Sequence, residues 1–415
     1  MRIGGVEVKD IVQEYGSPVY VYDQAMIETQ LKTFKEGLEN DSFSSDVIYA
    51  SKAFNCKAMI QLVDKCGCCL DVVSGGELYT AYKAGFDLSK VYFHGNNKSI
   101  DELKMALELG VGTIVLDNVQ EAKVLADLAV SGKTHVLLRI NPGVEAHTHK
   151  YIVTADIDSK FGISIENKEE ILELISIIDS NLYLCFDGFH AHIGSQIFDK
   201  DAFVAEIQTV CQFVSELGVS VRTLNFGGGF AAYYTNEDHP IPIHDVCSII
   251  VDTCAKEKEK YKLEFNKICI EPGRSIVGQA GYTIYRVGFM KKTKHKNYAF
   301  VDGGMTDNIR PALYQAKYDC VIDGKEEIEK TTHYKIAGKC CESGDVLIED
   351  IFLPELENND LLVMYTTGAY GYSMSSHYNK ALSLPVVFCK DGNMQLVIKG
   401  ETYEDLIRLE NDLCL

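Results

Sequence analysis

Tyr49-Ala50-Ser51-Lys52-Ala53-Phe54 sets a lysine just past a short apolar run that begins at Val47. A lysine removed from water loses its proton and attacks a carbonyl carbon to form a Schiff base. By itself such a lysine is more often an ordinary solvated side chain. Asn225-Phe226-Gly227-Gly228-Gly229-Phe230 leaves another apolar run into three glycines, whose bare backbone can wrap an anionic group. The run lacks the Gly-Lys-Ser/Thr of a nucleotide loop, so a phosphate monoester on a small molecule suits it better than ATP. A turn needing positive φ accounts for such glycines about as well. Glu271 heads Glu-Pro-Gly-Arg (271–274), and a carboxylate held against a pyridine nitrogen keeps that ring protonated.

These three parts together specify pyridoxal 5′-phosphate, although no one of them does. His192, in His-Ala-His-Ile-Gly-Ser-Gln (190–196), is placed to stack on a planar ring. His190 and His192, at alternate strand positions, also suit a shared metal. No third ligand is well placed in sequence, so no metal is expected and His190 reads as a hydrogen-bonded barrel residue. Farther along, Asp302-Gly303-Gly304-Met305 breaks a strand, with Arg310 and Tyr314 following. Lys339 to Asp345 offers thiols beside a carboxylate, and Gly-Ala-Tyr-Gly (368–371) ends a strand with a phenol. A cysteine near a cofactor can return a proton to a carbanion, although a small core residue is the commoner role.

The elements that must position these groups follow a rhythm of apolar run, polar exit and amphipathic helix. Runs ending near Ala50, Val73, His94, Asp117, Ile140, His192, Phe226 and Glu271 read as strands. Helical spacing lies between them, as in Leu103, Ala106, Leu107 and Leu109, or Ile171, Leu172, Leu174, Ile175 and Ile178. Eight strands alternating with helices predict an α/β fold, a (β/α)8 TIM-type barrel rather than an open doubly wound sheet. Strand C-termini of such a barrel face one site. At those ends stand Lys52; Asp71, Ser74 and Glu77; His94; Arg139; His192 and Ser195; the glycines 227–229; and Glu271 with Arg274.

Residues 1–22 read as an extended arm that joins a second domain, and residues 23–274 as the barrel, opened by an Asp23 N-cap and a helix through about Leu38. Residues 275–415 read as an antiparallel β domain, with strands at 282–289, 298–302, 346–353, 361–366, 386–389 and 394–399. The chain of 415 residues is 46% hydrophobic and 24% charged, ordinary for a globular protein of two domains. A net charge of −20 argues against nucleic acid and against anionic membrane. With no signal-peptide pattern and no spanning segment, a cytoplasmic enzyme is expected. The fourteen cysteines then read as reduced thiols, including Cys66, Cys68 and Cys69, which lack a second pair at zinc spacing.

The motifs Tyr-Ala-Ser-Lys-Ala (49–53), Asp-Val-Val-Ser-Gly-Gly-Glu (71–77), His-Gly-Asn-Asn-Lys-Ser (94–99) and Arg-Ile-Asn-Pro-Gly-Val (139–144) occur in that order. Ser-Lys-Phe-Gly-Ile (159–163), His-Ile-Gly-Ser-Gln (192–196), Gly-Gly-Gly-Phe (227–230), Glu-Pro-Gly-Arg (271–274), Cys-Glu-Ser (341–343) and Gly-Ala-Tyr (368–370) continue the series. Nearly end to end, the chain resembles the diaminopimelate decarboxylase family, whose members pair an alanine-racemase-like barrel with a β domain. The resemblance implies that Lys52 carries pyridoxal 5′-phosphate and that Cys341 is the proton donor. It implies cofactor contacts from Asp71, His192, Ser195, Gly228, Gly229, Glu271, Gly273, Arg274 and Tyr370. It assigns substrate contacts to Arg274, Arg310, Tyr314, Glu342 and Tyr370. It further implies a homodimer in which Cys341 and Glu342 reach the other subunit's site.

The implied reaction removes CO2 from the D-configured centre of meso-2,6-diaminopimelate and leaves L-lysine. Two arginines suit a substrate whose distal end keeps a carboxylate, and Glu342 suits its distal ammonium. The chain departs from the family at Ala155, where glycine is usual, and at Lys339, where proline is common; Cys340 stands beside Cys341. The nearest rivals are decarboxylases of ornithine, arginine or carboxynorspermidine, whose substrates lack the distal carboxylate. A racemase would need a second acid/base facing Lys52, and an inactive regulator of the same fold would not need Lys52, Glu271 and Cys341 together.

Overall fold

The computed structural model describes residues 1–144 and 159–414, which divide into two compact units. One comprises Glu28–Ala232 and His239–Ser275; the other comprises Met1–Ile27, Tyr233–Asp238 and Ile276–Leu415. Ala155 lies outside the described residues.

In the first unit eight strands run parallel: Ser44–Ala50, Cys69–Val72, Val91–Phe93, Thr113–Leu116, Thr134–Asn141, Leu184–His190, Thr223–Asn225 and Lys267–Ile270. Lys267 pairs with Ser44, so the last strand meets the first and the barrel closes. Each falls within a few residues of the strand ends read from hydrophobic spacing. The interior is filled by Ile48, Cys69, Tyr92, Val115, Leu137 and Cys269. Cys68 and Cys69 are buried and Cys66 half-buried, in keeping with small packing thiols.

Local chemistry sets where each strand stops and each helix starts. The Ser74 side chain accepts the Glu77 N–H to open the helix Gly75–Ala84. Ser99 and Glu102 form a reciprocal capping box before Ile100–Leu109, and Asn118 caps Val119–Leu128. Gly85, Gly110 and Gly218 close helices in the left-handed conformation. Asp23 accepts the Met26 N–H at 3.1 Å ahead of the helix Gln24–Gly37, as its N-cap pattern predicts.

The second unit is built on a mostly antiparallel sheet. The arm strand Val19–Asp23 lies in it between Gly281–Lys292 and Val386–Lys390. The sheet differs from a purely antiparallel one in two places. Val386–Lys390 runs parallel to the arm strand, and Asn297–Val301 runs parallel to Thr332–Ala337. Cys320–Ile322 and Thr332–Ala337 are additional strands, and Arg310–Tyr314 and Tyr403–Ile407 are short helices in a stretch read as strands alone. No helix among the described residues is long and apolar enough to cross a membrane.

Candidate active site

Lys52 sits on the single turn Ser51–Ala53 that follows the first barrel strand, exposed between two buried neighbours. Asp71, at the exit of the next strand, is buried, and burial pushes its carboxyl up to about 6. Glu77 accepts the Val73 N–H at 2.7 Å, and burial lifts it to about 7, with the nearby Asp71 charge adding to the rise. The charge of Lys52 works against both rises.

The last strand brings Glu271 to the same end of the barrel. The Asn225 side-chain amide donates to Glu271 Oε1 at 2.7 Å, and Asn225 Oδ1 accepts the Gly227 N–H at 2.9 Å. His94 Nε2 lies 2.8 Å from Oε1, and His190 Nε2 lies 3.2 Å from Oε2. Burial alone would raise Glu271, yet the two histidines outweigh it and hold this carboxyl well below its usual range. His190 therefore pairs with His94 and Glu271, not with His192. The sequence offered no third partner because the three lie on three different strands, and only barrel closure gathers them.

The glycines form a cradle with no room for side chains. Gly227 and Gly229 adopt positive φ, +61° and +102°. A Cβ on Gly228 would meet the backbone oxygen of Glu271 at 2.2 Å. The Gly228 N–H donates to His192 Nδ1 at 3.2 Å, and burial, with the Lys52 charge next in effect, keeps the His192 ring neutral. Arg274 donates to Ser195 Oγ at 3.0 Å, and the hydroxyl of the neighbouring Ser275 is buried without a hydrogen-bond partner. Gly273 packs against Ala50 at the root of the Lys52 turn.

A bare-backbone cradle, a guanidinium with a hydroxyl, an ionised carboxylate and a lysine thus converge on one end of one barrel. That set fits a phosphate-bearing pyridine aldehyde. A nucleotide would ask for a longer anion cradle, and the glycines supply only three residues.

Comparison with known proteins decides the family. The model of the family "Pyridoxal-dependent decarboxylase, pyridoxal binding domain" matches residues 24–278. The diaminopimelate decarboxylase of Bacillus subtilis (strain 168) is 46% identical over 419 residues, covering 99% of this chain and 95% of that protein. The chain belongs to the diaminopimelate decarboxylase family. Its fold agrees: the diaminopimelate decarboxylase of M. jannaschi matches with a TM-score of 0.91 at 32% identity, covering 98% of this chain and 95% of that one. The Helicobacter pylori diaminopimelate decarboxylase complexed with L-lysine matches at 0.88 and 32%, covering 97% and 98%.

In the second unit, Arg310 is buried and donates from Nε to the Tyr318 hydroxyl at 2.9 Å. Its guanidinium lies over the rings of Tyr234, Tyr314 and Tyr370, 5.5–5.7 Å from their centroids. Tyr234 and Tyr318 escaped the sequence reading, because neither belongs to a motif. Cys341 and Glu342 are exposed, and the Cys341 N–H donates to Asn379 Oδ1 at 2.8 Å. Lys339, where the family commonly has proline, donates its N–H to Gly303 O at 3.0 Å, a bond proline lacks.

Proposed function

We propose that this chain is a pyridoxal 5′-phosphate-dependent carboxy-lyase that converts meso-2,6-diaminopimelate to L-lysine and CO2, the closing step of lysine synthesis, in the cytoplasm and as a homodimer. The observation that carries this is the convergence of Lys52, the glycine cradle, the Arg274–Ser195 pair and the ionised Glu271 at one end of the barrel. Bound there, the cofactor supplies an electron sink for the pair left at Cα when CO2 departs.

The chain's own residues do the rest. Lys52 would bind the cofactor through its carbonyl carbon, and Asp71 and Glu77 take up or release protons near neutrality. The glycines 227–229, Gly273, Ser195 and Arg274 would hold the phosphate, the neutral His192 ring would stack on the pyridine, and Glu271 would keep the ring nitrogen protonated. Arg310, with Tyr314 and Tyr370, takes a substrate carboxylate through its guanidinium fork, and Glu342 takes the distal ammonium. Cys341 returns the proton to Cα. Because Cys341 and Glu342 are exposed on their own chain, a second copy is the natural place for them to act.

The test offers purified protein and pyridoxal 5′-phosphate four substrates side by side: meso-diaminopimelate, ornithine, arginine and carboxynorspermidine. Lysine and CO2 from diaminopimelate alone, lost in Lys52→Ala, support the reading. Release of CO2 from one of the others would overturn the roles given to Arg310 and Glu342.

A further inference from the structure

Glu271 is held by more than its partner to a ring nitrogen requires. His94 Nε2 approaches Oε1 at 2.8 Å from the third barrel strand's exit, close enough for charge pairing although not aligned for a hydrogen bond, and stands 4.0 Å from Asp71 Oδ1. His190 Nε2 meets Oε2 at 3.2 Å from the sixth strand. The two imidazoles pack edge to face, with centroids 4.7 Å apart, and side-chain exposure is 6% for His94, 2% for His190 and 8% for Glu271. A carboxylate in so dry a place reverts to its neutral acid unless it is paired and hydrogen-bonded.

The remaining charged neighbours do not explain the pairing. Asp71 carries the same sign as Glu271 when ionised, and burial drives the Glu206 carboxyl well above its usual range, which leaves it a neutral acid. The Arg139 guanidinium is of the helpful sign and acts on Glu271 through space. On His190, burial lowers the ring to about 4, so it is neutral. Its Nδ1 is buried without a partner, which leaves the ring proton on Nε2, facing Glu271. The same three side chains would also suit a cation. Against that, the Asn225 amide donates to the oxygen that His94 approaches, as hydrogen-bonding groups do around a carboxylate.

We propose that His94 and His190 are positioning residues that grip Glu271 from two sides and keep it a carboxylate, so that the cofactor nitrogen stays protonated through decarboxylation. The inference rests on the reading that Glu271 faces that nitrogen, and it adds the two histidines as the means.

The deciding experiment uses holoenzyme loaded with pyridoxal 5′-phosphate carrying 15N in its ring. The 15N resonance is compared in wild type, Glu271→Gln, His94→Gln and His190→Gln, alongside cofactor stoichiometry and kinetics. We expect a pyridinium signal in wild type and a shift towards neutral pyridine in both histidine variants with the cofactor still bound. kcat should fall about tenfold, the equivalent of a one-unit change in the Glu271 pKa, with KM unchanged. A pyridinium signal retained in both histidine variants, while Glu271→Gln loses it, overturns the proposal and leaves the decarboxylase reading standing. An unmoved signal in Glu271→Gln itself overturns the role of Glu271 and the proposal with it. Should a glutamine variant fail to fold, 15N-histidine spectra of wild-type holoenzyme decide: a proton on His190 Nε2 supports the grip, and one on Nδ1 overturns it. One equivalent of divalent metal retained by the pure holoenzyme would also overturn it.

Discussion

The Gly228 N–H donates to His192 Nδ1 at 3.2 Å, so a glycine of the 227–229 turn dictates which nitrogen of the ring carries the proton. With Nδ1 accepting, the proton lies on Nε2 and the ring is uncharged. A neutral imidazole can lie against a protonated pyridine without the repulsion a second cation would bring. The glycine turn and the imidazole are one hydrogen-bonded unit.

Of the three glycines, Gly228 is the one at which a Cβ would meet a backbone atom most closely. In Gly228→Ala the new Cβ would stand 2.2 Å from the backbone oxygen of Glu271, and neither partner is a flexible side-chain tip. We expect a loss of about 1–3 kcal/mol in stability from overpacking, with a weaker cofactor affinity. Thermal unfolding without cofactor and a pyridoxal 5′-phosphate titration separate the two effects. An alanine variant that matches wild type in both would show that the cradle backbone can shift freely.

The adjacent thiols divide by surroundings. Cys341 is exposed, whereas Cys340 is half-buried with its N–H on Asp345 Oδ2 at 2.7 Å. Burial, and then the Asp345 charge, push the Cys340 thiol up and make it a poorer titrating group. Cys341→Ala is expected to lower kcat by about 10²–10⁴, the usual worth of a positioned acid, and Cys340→Ala to leave it unchanged. Steady-state lysine formation by the two variants gives the answer, and the reverse ranking would move the proton donor to Cys340.

Arg310 presents a fork held by the Tyr318 hydroxyl and three aromatic rings. Lysine keeps the charge but cannot grip a carboxylate with two parallel bonds. Losing one charge-assisted bond at about 1.5–3 kcal/mol predicts a KM for diaminopimelate about 10- to 100-fold higher in Arg310→Lys. Because the interaction is one of binding, kcat should change less. A variant with an unaltered KM would remove Arg310 from the substrate contacts.

Asp307 gives the second unit a pH dependence. Its carboxyl accepts the Gly304 N–H at 2.8 Å, and burial pushes it from 3.8 up to about 7. The folded chain therefore binds a proton there that the unfolded chain has released between about pH 4 and 7. Its contribution is present below the unfolded value and is lost as pH rises through that window. Asp307→Asn, which keeps an oxygen for Gly304, should flatten the fall in Tm over this range and raise Tm at pH 8. Parallel melting curves at pH 5 and pH 8 test it, and identical slopes in both proteins would sink the argument.

The barrel was legible because its strands are apolar runs of nearly continuous hydrophobicity, each stopped by a polar capping residue such as Ser74, Ser99 or Asn118. The grouping of the barrel motifs was legible for the same reason: they sit near strand exits, and a parallel barrel turns all exits to one end. The second unit was harder to read. Cys320–Ile322 is too short to show a period, and Thr332–Ala337 mixes polar and apolar residues on a partly exposed strand. Nothing local marks a parallel pair, so the seating of the arm strand beside Val386–Lys390 was invisible, as was the grouping of Tyr233–Asp238 with the second unit.

By itself, then, the sequence determined the residue types available to the chemistry, the alternation that makes a barrel, and the family. Local periodicity and capping carry that information within a few residues of chain. Only the tertiary structure decided that His190 turns to Glu271 and His94, that Gly228 sets the His192 proton, and that Tyr318 and Tyr234 hold Arg310. The first two join residues far apart along the chain, and their geometry exists only once strand register and barrel closure have brought them together; Tyr318, eight residues from Arg310, and Tyr234 reach its guanidinium through the fold of the second unit.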